Sequence, residues 1–282
     1  MSKCITLPAP AKLNLFLHIT GQRADGYHNL QTIFQFLDYS DSLTFSLRTD
    51  SAITLNPPLL GVPYEQNLII KAALRLQQAS GCELGVDIVL NKILPMGGGI
   101  GGGSSNAAST LLALNELWSL NWSEKQLSTL GLTLGADVPI FIYGHSAWAE
   151  GVGEHLIPLT LPEKAYLVLK PECEISTREI FSHPALTRNT PAIKVAASEA
   201  QGGRNDCESI VKQLYPAVDS ALTWLRQYGD GKLTGTGSCV FLACETVEQA
   251  NNLLNVCPFA GFVAKAHNVS PAHQALADYR KK

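Results

Sequence analysis

Charge is what this chain has least of. Asp, Glu, Lys and Arg make up 16% of its 282 residues, against about 25% in ordinary globular domains. The 21 basic and 24 acidic side chains leave a net charge of −3 and a pI near 6.2, which excludes the basic footprint of a dedicated nucleic-acid binder. Basic amphipathic stretches of the kind that lie on a membrane surface are missing too. Cysteine never occurs as a CxxC pair: the seven, at 4, 82, 173, 207, 239, 244 and 257, are scattered. Without close ligand pairs a tetrahedral zinc site is not expected, and no residue is assigned to a metal. The thiols are expected to be reduced, in a cytoplasmic protein. The opening Met-Ser-Lys-Cys-Ile-Thr-Leu-Pro lacks the unbroken apolar run of a secretory signal. The charge-free run between Lys92 and Glu116 has the length to cross a bilayer, but Pro95, six glycines and Ser104-Ser105-Asn106 fill its first half. It reads as a loop followed by a helix. At 46% hydrophobic residues there is material for a real core, which excludes a disordered chain and leaves a soluble globular protein, an enzyme by expectation.

The patterning mixes strand and helix periods without strict alternation. Leu13, Leu15, Leu17 and Ile19 recur at every second position, the period of a strand. After a turn at Gly21 and Asp25-Gly26, strand-like runs over 31–36 and 42–47 suggest an antiparallel meander. The spacing predicts a helix over 67–80 stopped by Gly81, a strand over 86–90, and a helix capped at Ser104 or Ser105 and running to Trp118. Ser123 and Gln126 form a capping box for the next helix, which leads to an ordered turn at Leu134–Pro139. Strands are expected over 140–143, 146–149, 165–169, 239–243 and 261–265, with helices over 207–214, 218–228 and 247–254. That order favours an α+β fold over a Rossmann sheet. The two glycines in Glu150–Pro158 mark the best boundary between two domains.

Six glycines in the seven positions 97–103 are far beyond background frequency. Side-chain-free backbone lets several N–H groups converge on an anion, and a following helix adds its unpaired donors and dipole. Pro95, Met96, Gly97, Gly98, Gly99, Ile100, Gly101, Gly102, Gly103, Ser104 and Ser105 are therefore the expected cradle of a triphosphate. A Walker A loop would need Lys where Ser104 stands. A Rossmann fingerprint would want an acidic residue near 120, where Asn121 and Trp122 lie, and no His-Arg-Asp or Asp-Phe-Gly follows as in protein kinases. Gly144-His145-Ser146-Ala147-Trp148 approaches an esterase elbow but lacks its last glycine. A second cluster, Leu233–Val240, reads either as a tight turn or as further donors for the same ligand. Taken singly, Lys12 reads equally as a side chain snorkelling to solvent, and Asp137 as a cap of its own turn.

Together the clusters say more. Pro10–Asn14, Pro95–Ser105 and Gly235–Val240, in this order and spacing, resemble the three motifs of the GHMP small-molecule kinases. Ala11-Lys12-Leu13-Asn14, Arg23-x-Asp25-Gly26-Tyr27-His28, Gly135-Ala136-Asp137-Val138-Pro139 and a closing Ala266–Pro271 with His273 resemble one of their families closely. It is the 4-diphosphocytidyl-2-C-methyl-D-erythritol kinases of the non-mevalonate isoprenoid pathway. The resemblance runs from about residue 8 to 273.

That resemblance implies a two-domain GHMP kinase fold of the α+β class. A nucleotide-binding α+β domain over 1–155 would carry the phosphate loop, Lys12 and Asp137, and a ferredoxin-like α+β domain would cover 156–282. It implies ATP as cosubstrate with Mg²⁺, and transfer to the 2-hydroxyl, a tertiary alcohol, of the cytidyl-methylerythritol substrate. Asp137 would accept the hydroxyl proton and Lys12 would stabilise the developing alkoxide, since phosphoryl transfer asks chiefly for alignment and charge. Tyr27, His28 and Phe181 would hold the cytosine, with Asn14, Thr177, Gly235, Thr236 and Gly237 as further substrate contacts. Ser105 would reach the metal, with no dedicated protein cage. No nucleic acid or membrane is expected as partner, and the chain would be a monomer or weak homodimer. The alternatives are a GHMP kinase for another polyol or amino alcohol, and a non-catalytic nucleotide sensor, which would not need both Lys12 and Asp137.

Overall fold

The computed structural model describes residues 3–194 and 203–281, so Met1 and Ser2 of the opening run lie outside it. Its spine is a pair of long antiparallel strands, β1 (Cys4–Gln22) and β2 (His28–Arg48), joined by the Asp25-Gly26 turn. Runs 31–36 and 42–47, expected as two strands, are one: β2 stays paired with β1 through Asp41 and Ser42, and register shifts in β1 absorb the curvature. Beyond β2 come β3 (Ile53–Asn56), α1 (Leu68–Ser80) and β4 (Gly85–Asn91). The helix starts where Asn67 accepts from the Ile69 amide and stops at Gly81, which takes the left-handed conformation at φ 67°. Strand β4 pairs with β2 and, in parallel, with β3.

Three helices follow: α2 (Gly102–Leu117), α3 (Glu124–Leu132) and α4 (Val138–Tyr143). The capping box at Ser123 and Gln126 is present. Two expectations fail. Helix α2 begins at Gly102 with Gly101 as its cap, ahead of the serines, because the glycine at φ 78° turns the chain directly into the helix. Residues 140–143 are helix rather than strand: Pro139 opens the turn, Gly144 at φ 73° closes it, and Ile140, Phe141 and Ile142 go to the core with Tyr143 half-buried against it.

The β5 (Ala147–Gly151) and β6 (His155–Pro158) strands form a hairpin, with β5 on β2. The segment expected as a domain boundary is thus sheet, not linker. After it, β7 (Ala165–Leu169), α5 (Thr177–Ser182), α6 (Glu208–Leu214), α7 (Pro216–Leu225), β8 (Lys232–Leu233), β9 (Val240–Cys244), α8 (Val247–Asn255) and β10 (Gly261–His267) complete the second half. Its antiparallel strands lie in the order β10-β7-β9-β8, the βαββαβ arrangement of a ferredoxin-like domain. The last helix, α9 (Pro271–Arg280), returns to the first half, where Leu276 joins the core under α1 and α2.

Each half buries its own core. A third cluster joins them: Ala11, Leu13 and Leu37 meet Tyr166, Val168, Phe241 and Phe262, and Ile100 of the glycine loop is buried there too. The glycine loop is therefore pinned by Ile100 to the seam between the halves. Among the described residues no helix is long and apolar enough to cross a membrane.

Candidate active site

Strand β1 delivers Lys12 to the seam, 2% exposed. Its ammonium meets three oxygens: Asn14 Oδ1 at 2.6 Å, the Gly99 carbonyl at 2.9 Å, and Asp137 Oδ2 at 3.2 Å. Three donors meeting three acceptors orient the amine, with the Phe34 ring 5.4 Å beneath it. Its own amide also donates to the Ile100 carbonyl at 3.0 Å. Snorkelling is excluded. Asp137 sits at the N-cap position of α4, yet its side chain makes no capping bond. It turns to Lys12 and keeps 37% of its surface open.

Asn14, expected to touch substrate, has both ends of its amide engaged. The oxygen accepts from Lys12 and the nitrogen donates to Thr32 Oγ1 at 2.9 Å, so here it orients the lysine.

The glycine loop is fixed by close approach. Gly97, Gly99 and Gly101 have φ of 65°, 71° and 78°. A Cβ on Gly99 would stand 2.5 Å from the Thr234 carbonyl, and one on Gly101 2.7 Å from the Phe141 ring and 3.2 Å from Lys12 Cε. Gly235, Thr236 and Gly237 lie behind this loop as a buttress: Ser238 and Cys239 donate to the Gly97 and Gly98 carbonyls at 3.2 and 3.0 Å. Asn205, which sequence reasoning missed, donates to the Leu233 and Gly235 carbonyls at 3.0 and 2.8 Å.

Two cavities lie near the Lys12–Asp137 pair, one lined by Asp137 and the other by its neighbour Ala136. The first, about 430 Å³, is walled by Pro95–Ser104, Asn67, Lys92 and Asp137. Lys92 also escaped sequence reasoning, having no motif around it. It pairs at 3.0 Å with Asp41, whose fully buried carboxylate accepts from the Ile93 and Leu94 amides at 2.6 and 2.7 Å and so sets the path into the loop. The second, about 770 Å³, is walled by Asp25, Tyr27, His28, Ala136, Thr177 and Phe181. Thr177 borders both, tied to Thr236 by hydroxyls 3.0 Å apart. Tyr27 is 61% exposed and His28 only 7%. The His28 and Phe181 rings pack at 5.2 Å and 32°. Phe181 thus meets His28 in the folded chain. Burial, then the nearby Arg188, holds the His28 pKa below its ordinary value.

Ser105 Oγ, fully buried in the first turn of α2 directly behind the loop, has no hydrogen-bond partner. Among the described residues no group of three His, Cys, Asp or Glu side chains gathers as a metal site.

Two family models match the chain: GHMP kinases N terminal domain over residues 67–145 and GHMP kinases C terminal over 184–261. A 4-diphosphocytidyl-2-C-methyl-D-erythritol kinase of Pseudomonas syringae pv. syringae is 58% identical over 274 residues, covering 96% of this chain and 97% of that one. A crystal structure of 4-(cytidine 5'-diphospho)-2C-methyl-D-erythritol kinase superposes with a TM-score of 0.79 at 31% identity, covering 93% and 99% of the two chains. Homoserine kinase from Cytophaga hutchinsonii, at 17% identity and a TM-score of 0.69 over 96% of both chains, shares the fold alone.

Proposed function

The chain belongs to the 4-diphosphocytidyl-2-C-methyl-D-erythritol kinases within the GHMP kinases, and we propose that it transfers the γ-phosphoryl group of ATP to the 2-hydroxyl of that diphosphocytidyl alcohol at the junction of its two cavities. The observation that carries this reading is the Lys12–Asp137 pair at 3.2 Å, its carboxylate lining the glycine-loop cavity while the adjacent Ala136 lines the aromatic one. The cavity of the glycine loop takes the triphosphate, and the aromatic one takes the cytidine.

Loop amides and the N-terminus of α2 bind the phosphates and set the γ-phosphorus toward Asp137. Lys92 adds a charge at the same wall. The acceptor hydroxyl, lying between Asp137 and the γ-phosphate, gives its proton to the carboxylate as the oxygen–phosphorus bond forms. The bond to the ADP leaving oxygen breaks in line. Lys12 holds the carboxylate in place and lowers the energy of the oxygen as it gains negative charge. Asn14 and the Gly99 carbonyl keep Lys12 from moving off that line. Where Mg²⁺ accompanies ATP, the partnerless Ser105 hydroxyl would offer it a hard oxygen ligand, and the ion would neutralise phosphate charge.

The hairpin β5–β6 and helix α9 both pack with the first half, so we divide the chain after Pro158 and assign α9 to the N-terminal domain. We place the protein in the cytoplasm, a reading supported by its scattered, unpaired cysteines. The test is a coupled assay of ADP release. The cytidyl-methylerythritol substrate should drive turnover, and homoserine or mevalonate should not; equal turnover with either would overturn the assignment.

A further inference from the structure

The geometry points to Arg188 as the positioning residue that fixes which ring nitrogen of His28 carries the proton, so that the aromatic cavity selects a pyrimidine with a bare acceptor at ring position 3, cytosine over uracil. The inference rests on the reading of that cavity as the cytidine site.

Arg188 follows α5 and spends its guanidinium on four bonds. Its Nη1 donates to the Leu186 carbonyl at 3.1 Å, its Nη2 to the Phe181 and His183 carbonyls at 2.9 Å each, and its Nε to His28 Nε2 at 3.0 Å. A guanidinium is always charged and has only donors. The His28 nitrogen it faces must therefore be the one without a proton, and the single ring proton belongs on Nδ1. Packing on Phe181 holds the ring itself, while strand pairing with Gln22 fixes only the His28 backbone. Protonating both nitrogens would set an imidazolium N–H against the guanidinium. The other charged groups that line this cavity are Asp25 and Arg178.

Of the two ring nitrogens, only Nδ1–H is then left to read a ligand in the cavity. Aligned with ring position 3, it meets the lone pair of cytosine N3. Uracil carries N–H at position 3, and a donor facing a donor loses a bond and leaves two groups unsatisfied. No motif surrounds Arg188, and it lines neither cavity, so its role shows only through the ring behind which it stands.

The experiment compares CDP and UDP as inhibitors competing with the cytidyl substrate. The unaltered protein should favour CDP by about tenfold or more, the worth of a matched over a mismatched bond. Arg188→Met should bring the ratio several-fold closer to one, with KM for ATP unmoved, and Arg188→Lys, which keeps a donor-only cation, should restore part of it. His28→Asn puts an amide donor near the place of Nδ1 with no tautomer to choose. In that background Arg188→Met should change the ratio no further. Nitrogen-15 NMR of the His28 ring reads the proton directly: Nδ1–H in the unaltered protein, and Nε2–H gaining in Arg188→Met.

Equal weakening of CDP and UDP by Arg188→Met would make Arg188 a loop brace only and overturn the inference, as would an Nε2–H ring in the unaltered protein. If CDP binds unaltered in Tyr27→Ala, the cytidine site itself is misplaced. If Tyr27→Ala weakens CDP while Arg188→Met leaves the ratio intact, the site stands and the role of Arg188 falls.

Discussion

Where the cavity of the glycine loop is walled largely by main chain, the cavity of Tyr27 and His28 is walled by side chains from segments some 150 residues apart in sequence. The first is built around a single run, 95–104, buttressed by Thr234–Cys239 and pinned by Ile100 in the seam. The second exists only once α5 and the segment carrying Arg188 have docked on the turn before β2. A main-chain wall suits a ligand whose charge is the same in every nucleotide. A side-chain wall suits a base, whose edge differs from one nucleotide to the next. Damage to the first should appear in ATP, damage to the second in the cytidyl substrate, and only a change at their junction should stop the reaction with both ligands bound.

The junction gives the largest effect. Asp137→Asn is nearly isosteric, so both substrates should still bind, while the proton acceptor and its charge vanish. Turnover should fall about 10²–10⁴-fold with little change in either KM. Steady-state kinetics with each substrate varied in turn decides it. Retention of half the activity would leave alignment alone to carry the reaction.

Next come two adjacent glycines that separate fold from ligand. At Gly101 a methyl would collide with the Phe141 ring in a left-handed backbone, so Gly101→Ala should lower Tm as well as activity. At Gly102 the nearest atom to a Cβ is Leu94 Cβ, an ordinary contact at 3.5 Å. Gly102→Ala should therefore leave Tm in place and raise KM for ATP, by up to about a hundredfold if the methyl costs the phosphate the 1–3 kcal/mol typical of overpacking. An unchanged KM in a protein of unchanged Tm would put the phosphates elsewhere.

The same contrast explains what could be read without coordinates. A glycine loop acts through its own backbone, so its run of residues carries the whole message. The caps at Asn67, Gly81 and Ser123 are equally local, and each helix they bound lies where its spacing puts it. Residues 140–143 went the other way because four consecutive apolar side chains carry no period, and only the flanking proline and glycine tell helix from strand. The continuity of β2 was hidden by Asp41, a charge in the middle of a strand. It is buried because the amides before the loop and Lys92 satisfy it, partners about fifty residues on. Lys92, Asn205 and Arg188 have no local signature either, since each acts on a group brought to it by tertiary docking. Family resemblance pointed to His28 and Phe181, but that their rings meet each other is a fact of the fold.

A smaller effect tests the side-chain wall. Tyr27 is mostly exposed in the free protein, so Tyr27→Ala should cost the fold almost nothing. Loss of one stacking face falls near the low end of about 1–3 kcal/mol per base, a rise of roughly five- to tenfold in KM for the cytidyl substrate. KM for ATP should not move. A parallel rise in both would mean that the tyrosine shapes the junction rather than the base cavity.

The smallest expected effect is one of pH, and it touches one wall only. Burial first, and Arg188 second, hold the His28 pKa below the ordinary value of about 6.5. For a histidine kept neutral by the fold, the unfolded chain takes up the proton first as pH falls. The native state therefore loses stability below about pH 6.5, and nothing is gained or lost from this group above it. Binding follows the same sign. With its pKa held below 6.5 the folded ring is mostly neutral at that pH, and cytosine recognition should change little from pH 8 to that point. Further acid puts a proton on Nε2, breaks the bond to Arg188 and turns the ring out of register with the base. No histidine walls the cavity of the glycine loop. The affinity of CDP relative to ADP, in which the ionisation of the shared diphosphate cancels, should thus fall below pH 6.5 by no more than about tenfold per unit, the limit for one proton. Titration calorimetry of the two nucleotides between pH 8 and 5.5 measures it. A ratio that fell already between pH 8 and 7 would assign the proton to a group other than His28.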